Sequence, residues 1–267
     1  PKRAILYSIL ALYLIFVLFP ILWLIQCSFK TGYQALQVPP LLVWKPTLDA
    51  YRKVFGGGIY KAMLNSLTVG ASNVVLCLAL GIPAAYGLSR IRTKISENMS
   101  FYMISIRFAP LFAVILPLYI IFRAYRMLDR LAGVVIAHLI INLPLAVWLI
   151  KGYFQSIPLE LEEAAHMDGA SRLGVLLRIT VPLGLPMIAA VSALVFLFSW
   201  NEFMLAFIIT SQSARTVPVI VSSLAGSMLF DFPLLSAVSA VALIPAFVFV
   251  GYVQRHIARG FTMGAIK

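Results

Sequence analysis

A cluster of carboxylates lies in a chain that has very few of them. Only nine of the 267 residues are acidic, and four of these fall close together: Glu160, Glu162, Glu163 and Asp168. If this segment is helical, three of the glutamates lie near the positive end of the helix dipole, where negative charge is stabilised. Helices that merely anchor a loop on a membrane usually carry lysine and arginine on the polar face. The acidic segment therefore favours docking into a partner protein over anchoring on lipid.

The residues around the cluster predict a short helix, a kink and a second short helix between about residues 151 and 185, lying across the membrane surface. Ser156 is a suitable helix cap, and Pro158 fits a first helical turn. Gly169 can take the left-handed conformation that ends a helix. We expect the second helical stretch to reach about Ile179. Two prolines are then expected to break the chain before the next apolar run, Pro182 and Pro186.

Polar residues inside the apolar runs are candidates for a substrate pathway, because such groups are costly within a membrane and are commonly functional. Asn201 and Glu202 are predicted to lie in the middle of a span, beside Trp200. A carboxylate at that depth needs a cavity or a cationic partner, and Arg107 is one possible partner. For Arg107 the alternative is that it reaches the nearer interface.

His138 and Asn142 lie four residues apart in another run, so that they share one face of a helix. Hydrogen bonding between helices is the competing explanation for this pair. Sugars are bound by planar polar groups together with an aromatic face, which Asn142, Trp200, Asn201 and Glu202 would suit. Prolines 110, 117, 144 and 245 are either local openings of their helices or tolerated kinks.

Known catalytic patterns are absent from the sequence. There is no GxxxxGK[ST] phosphate loop, since the glycine-rich stretch at 56–62 has the wrong spacing, and there is no HExxH or GxSxG pattern. His166 and His256 have no third ligand near them in the sequence, so no metal site is predicted. We therefore expect a non-catalytic chain with no cofactor or metal of its own.

The elements that must position these residues are membrane spans. Hydrophobic residues make up 62% of the chain and charged residues 11%. Several apolar runs reach about 20 residues, the length that crosses a bilayer as a helix. The sequence thus predicts an all-α polytopic membrane protein with six transmembrane helices in a single domain, residues 1–267. The predicted spans are about 4–27, 65–88, 101–122, 131–150, 187–210 and 234–254.

Lysine and arginine do not decide the orientation of these spans. An even number of spans places both termini on one side of the membrane. With the termini inside, the inner segments carry 11 Lys and Arg and the outer segments carry 9. The remaining one of the 21 in the chain lies within a predicted span. This difference is too small for the positive-inside rule to decide on which side of the membrane the termini lie.

The acidic segment resembles the EAA loop of ABC importer permeases, in which Glu-Ala-Ala is followed by three residues, Gly, nine residues and Ile-x-Leu-Pro. Here Glu163-Ala164-Ala165 is followed at those spacings by Gly169 and by Ile179-Thr180-Val181-Pro182, with Val181 as the one departure. Nearly the whole chain is similar to the maltose-type branch of carbohydrate importers. The other matching pieces are SFK (28–30), NS (65–66), ILPLYIIF (115–122), INLPLAVWL (141–149), WNEF (200–203) and GFTMGAIK (260–267).

The resemblance implies the type I ABC importer permease fold and a cytoplasmic coupling loop at about 151–185. It also implies cytoplasmic termini and an extracytoplasmic loop at about 28–61. The first helix of the coupling loop would sit in a cleft of an ATPase subunit and follow its motion. The residues that it implies at this contact are Glu163, Ala164, Ala165, Met167, Asp168, Gly169 and Ala170.

The implied assembly contains this permease, a second homologous permease, two ATPase subunits that bind ATP and Mg, and an extracytoplasmic solute-binding protein. It would import a carbohydrate across a bacterial plasma (inner) membrane. The alternative is an ion-coupled secondary transporter of a small polar solute, which would need inverted repeats and a broken-helix ion site. The two halves of the chain, 1–133 and 134–267, show no convincing self-similarity.

Overall fold

The computed structural model describes residues 2–91, 93–108, 110–227 and 231–263, and the regular elements within them are all helical. The all-α prediction is therefore confirmed. The last four residues of the matching segment 260–267 lie outside the described residues. The helices are α1 (Lys2–Ser28), α2 (Gly32–Leu36), α3 (Asp49–Gly56), α4 (Gly58–Arg90), α5 (Lys94–Ser105), α6 (Leu111–Ala124), α7 (Leu131–Phe154), α8 (Glu160–Met167), α9 (Arg172–Val175), α10 (Val181–Asn201), α11 (Met204–Ile209), α12 (Val217–Ala225) and α13 (Phe232–Met263).

Five helical stretches of the described chain are long and apolar enough to cross a membrane. They are Arg3–Ser28, Gly58–Arg90, Leu131–Phe154, Arg172–Asn201 and Phe232–Gly251. A sixth span results if the bent pair Lys94–Phe108 and Leu111–Ala124 is counted as one. The predicted number of six spans therefore depends on this bent pair.

The third predicted span is not one straight helix. A 3-10 turn, Ile106–Phe108, follows α5, and the axes on either side of the break differ by 94°. Pro110 stands immediately before α6 with extended backbone angles. Proline has no N–H to donate and disfavours helical geometry in the residue before it, which explains the break at this position. Pro117, Pro144 and Pro245 lie inside helices instead.

The described chain divides into two compact units. One comprises residues 1–64 and 217–245, and the other comprises residues 65–216 and 246–267. In the first unit, Lys30 is buried between two indole rings, 5.3 Å from the ring centre of Trp23 and 4.7 Å from that of Trp44. Its ammonium also donates to the carbonyl of Leu41, so this lysine fixes the end of α1 to the loop that follows.

The second unit contains a continuous hydrophobic core. Helix α7 lies at its centre and packs on α10, α11 and α5. Ile150 and Phe154 on α7 are fully buried and belong to the same hydrophobic cluster as Cys77 and Ala85 of α4 and Val195 of α10. The residues of the candidate functional site all belong to this unit.

The prediction that Pro182 and Pro186 break the chain is wrong. Helical structure continues from Arg172 into α10, through a π turn at Leu176–Thr180. A proline in a regular α-helix collides with the carbonyl four residues earlier, which for Pro182 belongs to Arg178. The wider π turn changes the position of that carbonyl, and the N–H of Val181 bonds to the carbonyl of Leu176 instead.

Candidate functional site

Helix α8 is the short acidic helix that the sequence predicts, with glutamates 160, 162 and 163 in its first turn. Its start differs from the prediction. The Ser156 hydroxyl donates to the carbonyl of Tyr153 and caps nothing, and α8 begins after Leu159 without a side-chain cap. The three carboxylates at the positive end of the dipole stabilise this uncapped end in its place.

The C-terminal end of α8 is closed by Gly169, as predicted. Gly169 has a φ of +83°, which favours glycine. Its N–H bonds to the carbonyl of His166, and the N–H of Ala170 bonds to that of Ala165. These two bonds form a Schellman motif, which satisfies the last carbonyls of the helix. The His166 ring also lies 2.9 Å from the Ala170 carbonyl oxygen, so that the chain leaves α8 in a fixed direction.

The seven residues predicted at the ATPase contact are all accessible. Ala165 and Ala170 are half-buried and the other five are exposed: Glu163, Ala164, Met167, Asp168 and Gly169. Met167 is 89% exposed, so its apolar side chain is available for contact at the surface of α8. The structure thus brings the predicted contact residues together at the surface of one helix and its C-terminal turn.

Glu162 differs from its neighbours because it is only 4% exposed. Its Oε1 accepts from Arg90 Nη2 at 2.6 Å and from Thr180 Oγ1 at 2.8 Å. Its Oε2 accepts from Arg90 Nε at 2.9 Å and from the Tyr86 hydroxyl at 3.0 Å. Burial alone would raise the pKa of the Glu162 carboxyl, but the hydrogen bonds from Arg90, Thr180 and Tyr86 outweigh it and lower that pKa. Glu162 therefore ties α8 to α4 and to the π turn.

Glu202 is not in the middle of a helix, which corrects the prediction for this residue and for Asn201. Helix α10 ends at Asn201, and Glu202 lies in the extended break before α11. Its carboxylate accepts the N–H groups of Leu205 at 2.8 Å and Ala206 at 3.1 Å, and so caps α11. A side chain that satisfies free helical N–H groups stabilises a break at this position.

The side-chain partner of Glu202 is the imidazole of His138 rather than Arg107. Nε2 of His138 lies 3.0 Å from Glu202 Oε2, and Nδ1 lies 2.7 Å from the hydroxyl of Ser199. His138 is completely buried and Ser199 is 4% exposed. Since an ionised carboxylate only accepts hydrogen bonds, Nε2 carries the proton in this arrangement. The contact joins α7 to the α10–α11 break.

Asn142, one turn after His138, bonds to a different partner. Its amide nitrogen donates to Asn73 Oδ1 at 3.2 Å, and the Asn73 amide donates to the Val135 carbonyl at 2.9 Å. Both asparagines are completely buried. Oδ1 of Asn142 has no hydrogen-bond partner among the described residues. The bond between α4 and α7 agrees with the competing explanation for this residue, a hydrogen bond between helices.

The remaining pathway candidates are dispersed. The Arg107 guanidinium donates to the carbonyl of Ile141 at 3.1 Å and lies 4.4 Å from the ring centre of Phe198. Trp200 is buried against Phe196, with 5.7 Å between ring centroids. Asn201 is exposed and donates to the carbonyl of Leu197 in its own helix. Of the six candidates, only His138 and Glu202 are joined by a direct polar contact.

Asp129 is a structural residue that sequence reasoning did not select. It precedes α7, has a φ of +52°, and its carboxylate accepts the backbone N–H groups of Ser211, Gln212, Ser213 and Ala214. Burial raises the pKa of Asp129, and the hydrogen bonds from the 211–214 segment lower it well below its usual range. We refer to this arrangement as the Asp129 clasp, and it holds the turn before α7 against the segment after α11.

No group of three or more His, Cys, Asp and Glu side chains suited to a metal ion occurs within the described residues. The chemistry of the site is instead that of buried hydrogen bonds and an exposed acidic helix. Such an arrangement positions helices and presents a contact surface.

Comparison with known proteins identifies the class. Residues 77–263 match the family described as the inner membrane component of binding-protein-dependent transport systems, and the chain belongs to this family. This result confirms the resemblance to ABC importer permeases, and the alternative of an ion-coupled transporter is not favoured.

Several relatives cover almost the whole chain. The trehalose transport system permease SugB of Mycobacterium tuberculosis is 33% identical, over 94% of this chain and 93% of its own length. The sulfoquinovosyl glycerol transport system permease SmoH of Agrobacterium fabrum is 32% identical, over 100% and 94% respectively. The inner membrane ABC transporter permease YcjP of Escherichia coli is 35% identical, over 98% and 95%.

The fold also matches a solved structure, that of a bacterial ABC transporter that imports alginate. The TM-score is 0.79 at 23% sequence identity, and the match covers 95% of each chain. This similarity confirms the ABC importer permease fold.

Proposed function

We propose that this chain is the permease subunit of an ATP-driven carbohydrate importer and that α8 is its contact with an ATPase subunit. The observation that carries the proposal is the arrangement of α8. Its outer surface presents Glu163, Met167 and Asp168, while the neighbouring Glu162 is buried and bonded to two other elements. A helix that is exposed on one side and fixed on the other suits the transfer of rigid-body motion.

Carbohydrate is the proposed substrate class, because named relatives that span almost the whole chain carry trehalose and sulfoquinovosyl glycerol. Of the six pathway candidates, Asn201 is exposed and has polar atoms available for a sugar hydroxyl, whereas Asn142 is completely buried. We assign His138 and Glu202 to positioning of the α10–α11 break, because both are occupied by protein partners.

In this proposal the whole chain forms one transmembrane domain, residues 1–267. Loop 151–185 and both termini are cytoplasmic, and loop 28–61 faces an extracytoplasmic solute-binding protein at a bacterial plasma membrane. The chain is non-catalytic and provides half of the pathway, and a second homologous permease provides the other half. ATP and magnesium belong to two partner ATPase subunits, since the sequence has no phosphate loop.

Co-purification tests the proposed function. The tagged permease is purified with its native partners, and the ATPase subunit retained per permease is measured for wild type and for a Glu163→Lys, Gly169→Asp double variant. Glu160→Lys is the matched control, because it is an exposed carboxylate of the same first turn outside the predicted contact. We expect the double variant to lose the ATPase subunit while remaining folded and inserted, and the control to retain it.

Transport then tests the substrate class. Wild-type complex in lipid is supplied with trehalose, sulfoquinovosyl glycerol and a panel of other sugars and polyols, and stimulation of ATP hydrolysis is measured. A permease that purifies alone and moves solute without ATP would overturn the proposal in favour of an ion-coupled carrier.

A further inference from the structure

The contacts of Glu162 link the proposed ATPase contact to the membrane helices. Of its four hydrogen bonds, two come from the last residue of α4, one from Tyr86 one turn earlier, and one from the π turn before α10. None comes from α8 itself. The Glu162 carboxylate is therefore bonded on both oxygens to elements that continue into apolar spans.

Arg90 extends this link to a third membrane helix. While Nε and Nη2 bind Glu162 in a bidentate pair, Nη1 donates to the carbonyl of Phe154 at 2.9 Å. Phe154 is the last residue of α7, and its carbonyl accepts both from Arg90 and from the N–H of Ile157. The guanidinium lies 5.7 Å from the ring centre of Tyr86, which restricts it further.

A buried ion pair is an inefficient way to stabilise a protein, because desolvation offsets much of the attraction. Its geometry, in contrast, is highly specific when arginine binds a carboxylate through two parallel hydrogen bonds. Here the pair has side chains only 15% and 5% exposed and occupies a junction of four helical elements, α4, α7, α8 and the π turn. Such a junction resists relative movement of its members more than an apolar contact would.

We propose that Glu162 is a positioning residue that makes α8 and the end of α4 move as one body when the ATPase subunits close. The inference rests on the proposed function, and it assigns different roles to two adjacent glutamates. Glu163 contacts the ATPase subunit, whereas Glu162 passes the resulting displacement through Arg90 to α4 and α7. Loss of Glu162 should uncouple ATP hydrolysis from transport without releasing the ATPase subunit.

Spin labels on α8 and beside the end of α4 test the link directly. Leu161→Cys and Ile91→Cys provide exposed label positions, at 47% and 58% exposure. The native Cys27 and Cys77 are buried and are replaced by alanine in the same background. The distance distribution between the labels is measured in the purified complex, without nucleotide and with ATP under conditions that block hydrolysis. In this background we expect one narrow distribution that ATP does not change.

Glu162→Gln should broaden this distribution in both states and abolish sugar uptake, with retention of the ATPase subunit and its ATP hydrolysis unchanged. Glu160→Gln removes an exposed carboxylate from the same turn and should leave every readout unchanged. Arg90→Lys keeps the charge but loses the bidentate geometry, and it gives a second variant if Glu162→Gln does not insert. We expect it to broaden the distribution to a smaller extent.

The outcomes distinguish this inference from the proposed function. A narrow, unchanged distribution in Glu162→Gln overturns the link and leaves the ATPase contact untouched. Loss of the ATPase subunit in Glu162→Gln also overturns it, because Glu162 would then only shape the contact. If the Glu163→Lys, Gly169→Asp variant keeps its ATPase subunit, the proposed function fails, while the nucleotide-free distribution still reports on the link.

Discussion

Removal of the Glu202 carboxylate should destabilise the protein far more than removal of the side chain beside it. In Glu202→Ala, His138 keeps a completely buried N–H without an acceptor, and α11 loses the cap on the N–H groups of Leu205 and Ala206. An unmade buried hydrogen bond costs about 1–3 kcal/mol and a lost helix cap about 1 kcal/mol. Their sum is roughly 2–4 kcal/mol.

Thermal unfolding in detergent, followed by circular dichroism or a thiol-independent fluorescence signal, measures this loss. For a chain of this size the expected fall in Tm is roughly 4–16 °C. Asn201→Ala is the matched control, because this exposed side chain bonds only to a carbonyl of its own helix, and its effect should stay within about 0.5 kcal/mol. Equal shifts for the two variants, or no shift for Glu202→Ala, would refute the assignment of Glu202 as the cap of α11 and the acceptor for His138.

Three further predictions use the same thermal assay. Gly133→Ala places a new Cβ 2.3 Å from a backbone carbonyl oxygen and should destabilise by about 1–3 kcal/mol, whereas Gly152→Ala in the same helix meets nothing within 4 Å and should be neutral or stabilising. The lowered pKa of Asp129 means that its clasp contributes stability above the ordinary aspartate pKa and loses it as pH falls towards the lower folded value. Asp129→Asn should therefore reduce the fall in Tm as the pH is lowered. An unchanged fall would contradict the stabilising role of the Asp129 clasp. Thr180→Val removes one of four donors to Glu162 and should cost about 1 kcal/mol, and a neutral result would show that the remaining donors compensate fully.

The acidic helix and its end could be predicted from the sequence because their causes are local. A glycine with positive φ and a first turn of carboxylates act within a few residues, and the structure places both as expected at Gly169 and α8. The partner of Glu162 could not be predicted, since Arg90 lies 72 residues earlier in the chain. Helix α8 has only eight residues, too few for a periodic pattern that would separate the buried Glu162 from the exposed Glu163.

The errors in the membrane spans have a common physical origin. Composition reveals that a run is apolar, but it does not reveal where a buried polar group interrupts the helix. The break at Glu202 depends on a histidine 64 residues earlier, and that pairing is invisible in the run itself. Pro110 and Pro182 are both visible in the sequence, but their outcomes differ. Pro110 lies at a sharp bend, whereas Pro182 is accommodated by a π turn. The outcome depends on the space available to the carbonyl four residues before each proline.

The π turn at Leu176–Thr180 also has a consequence for chain length. A π turn accommodates one more residue than an α-helix over nearly the same path, so the helical stretches on either side of it keep nearly the same relative orientation. Deleting a single residue here would restore regular α geometry and bring back the collision between Pro182 and the carbonyl four residues before it. The nine-residue spacing between Gly169 and Ile179 therefore includes the extra residue that lets a proline follow within one continuous helical run.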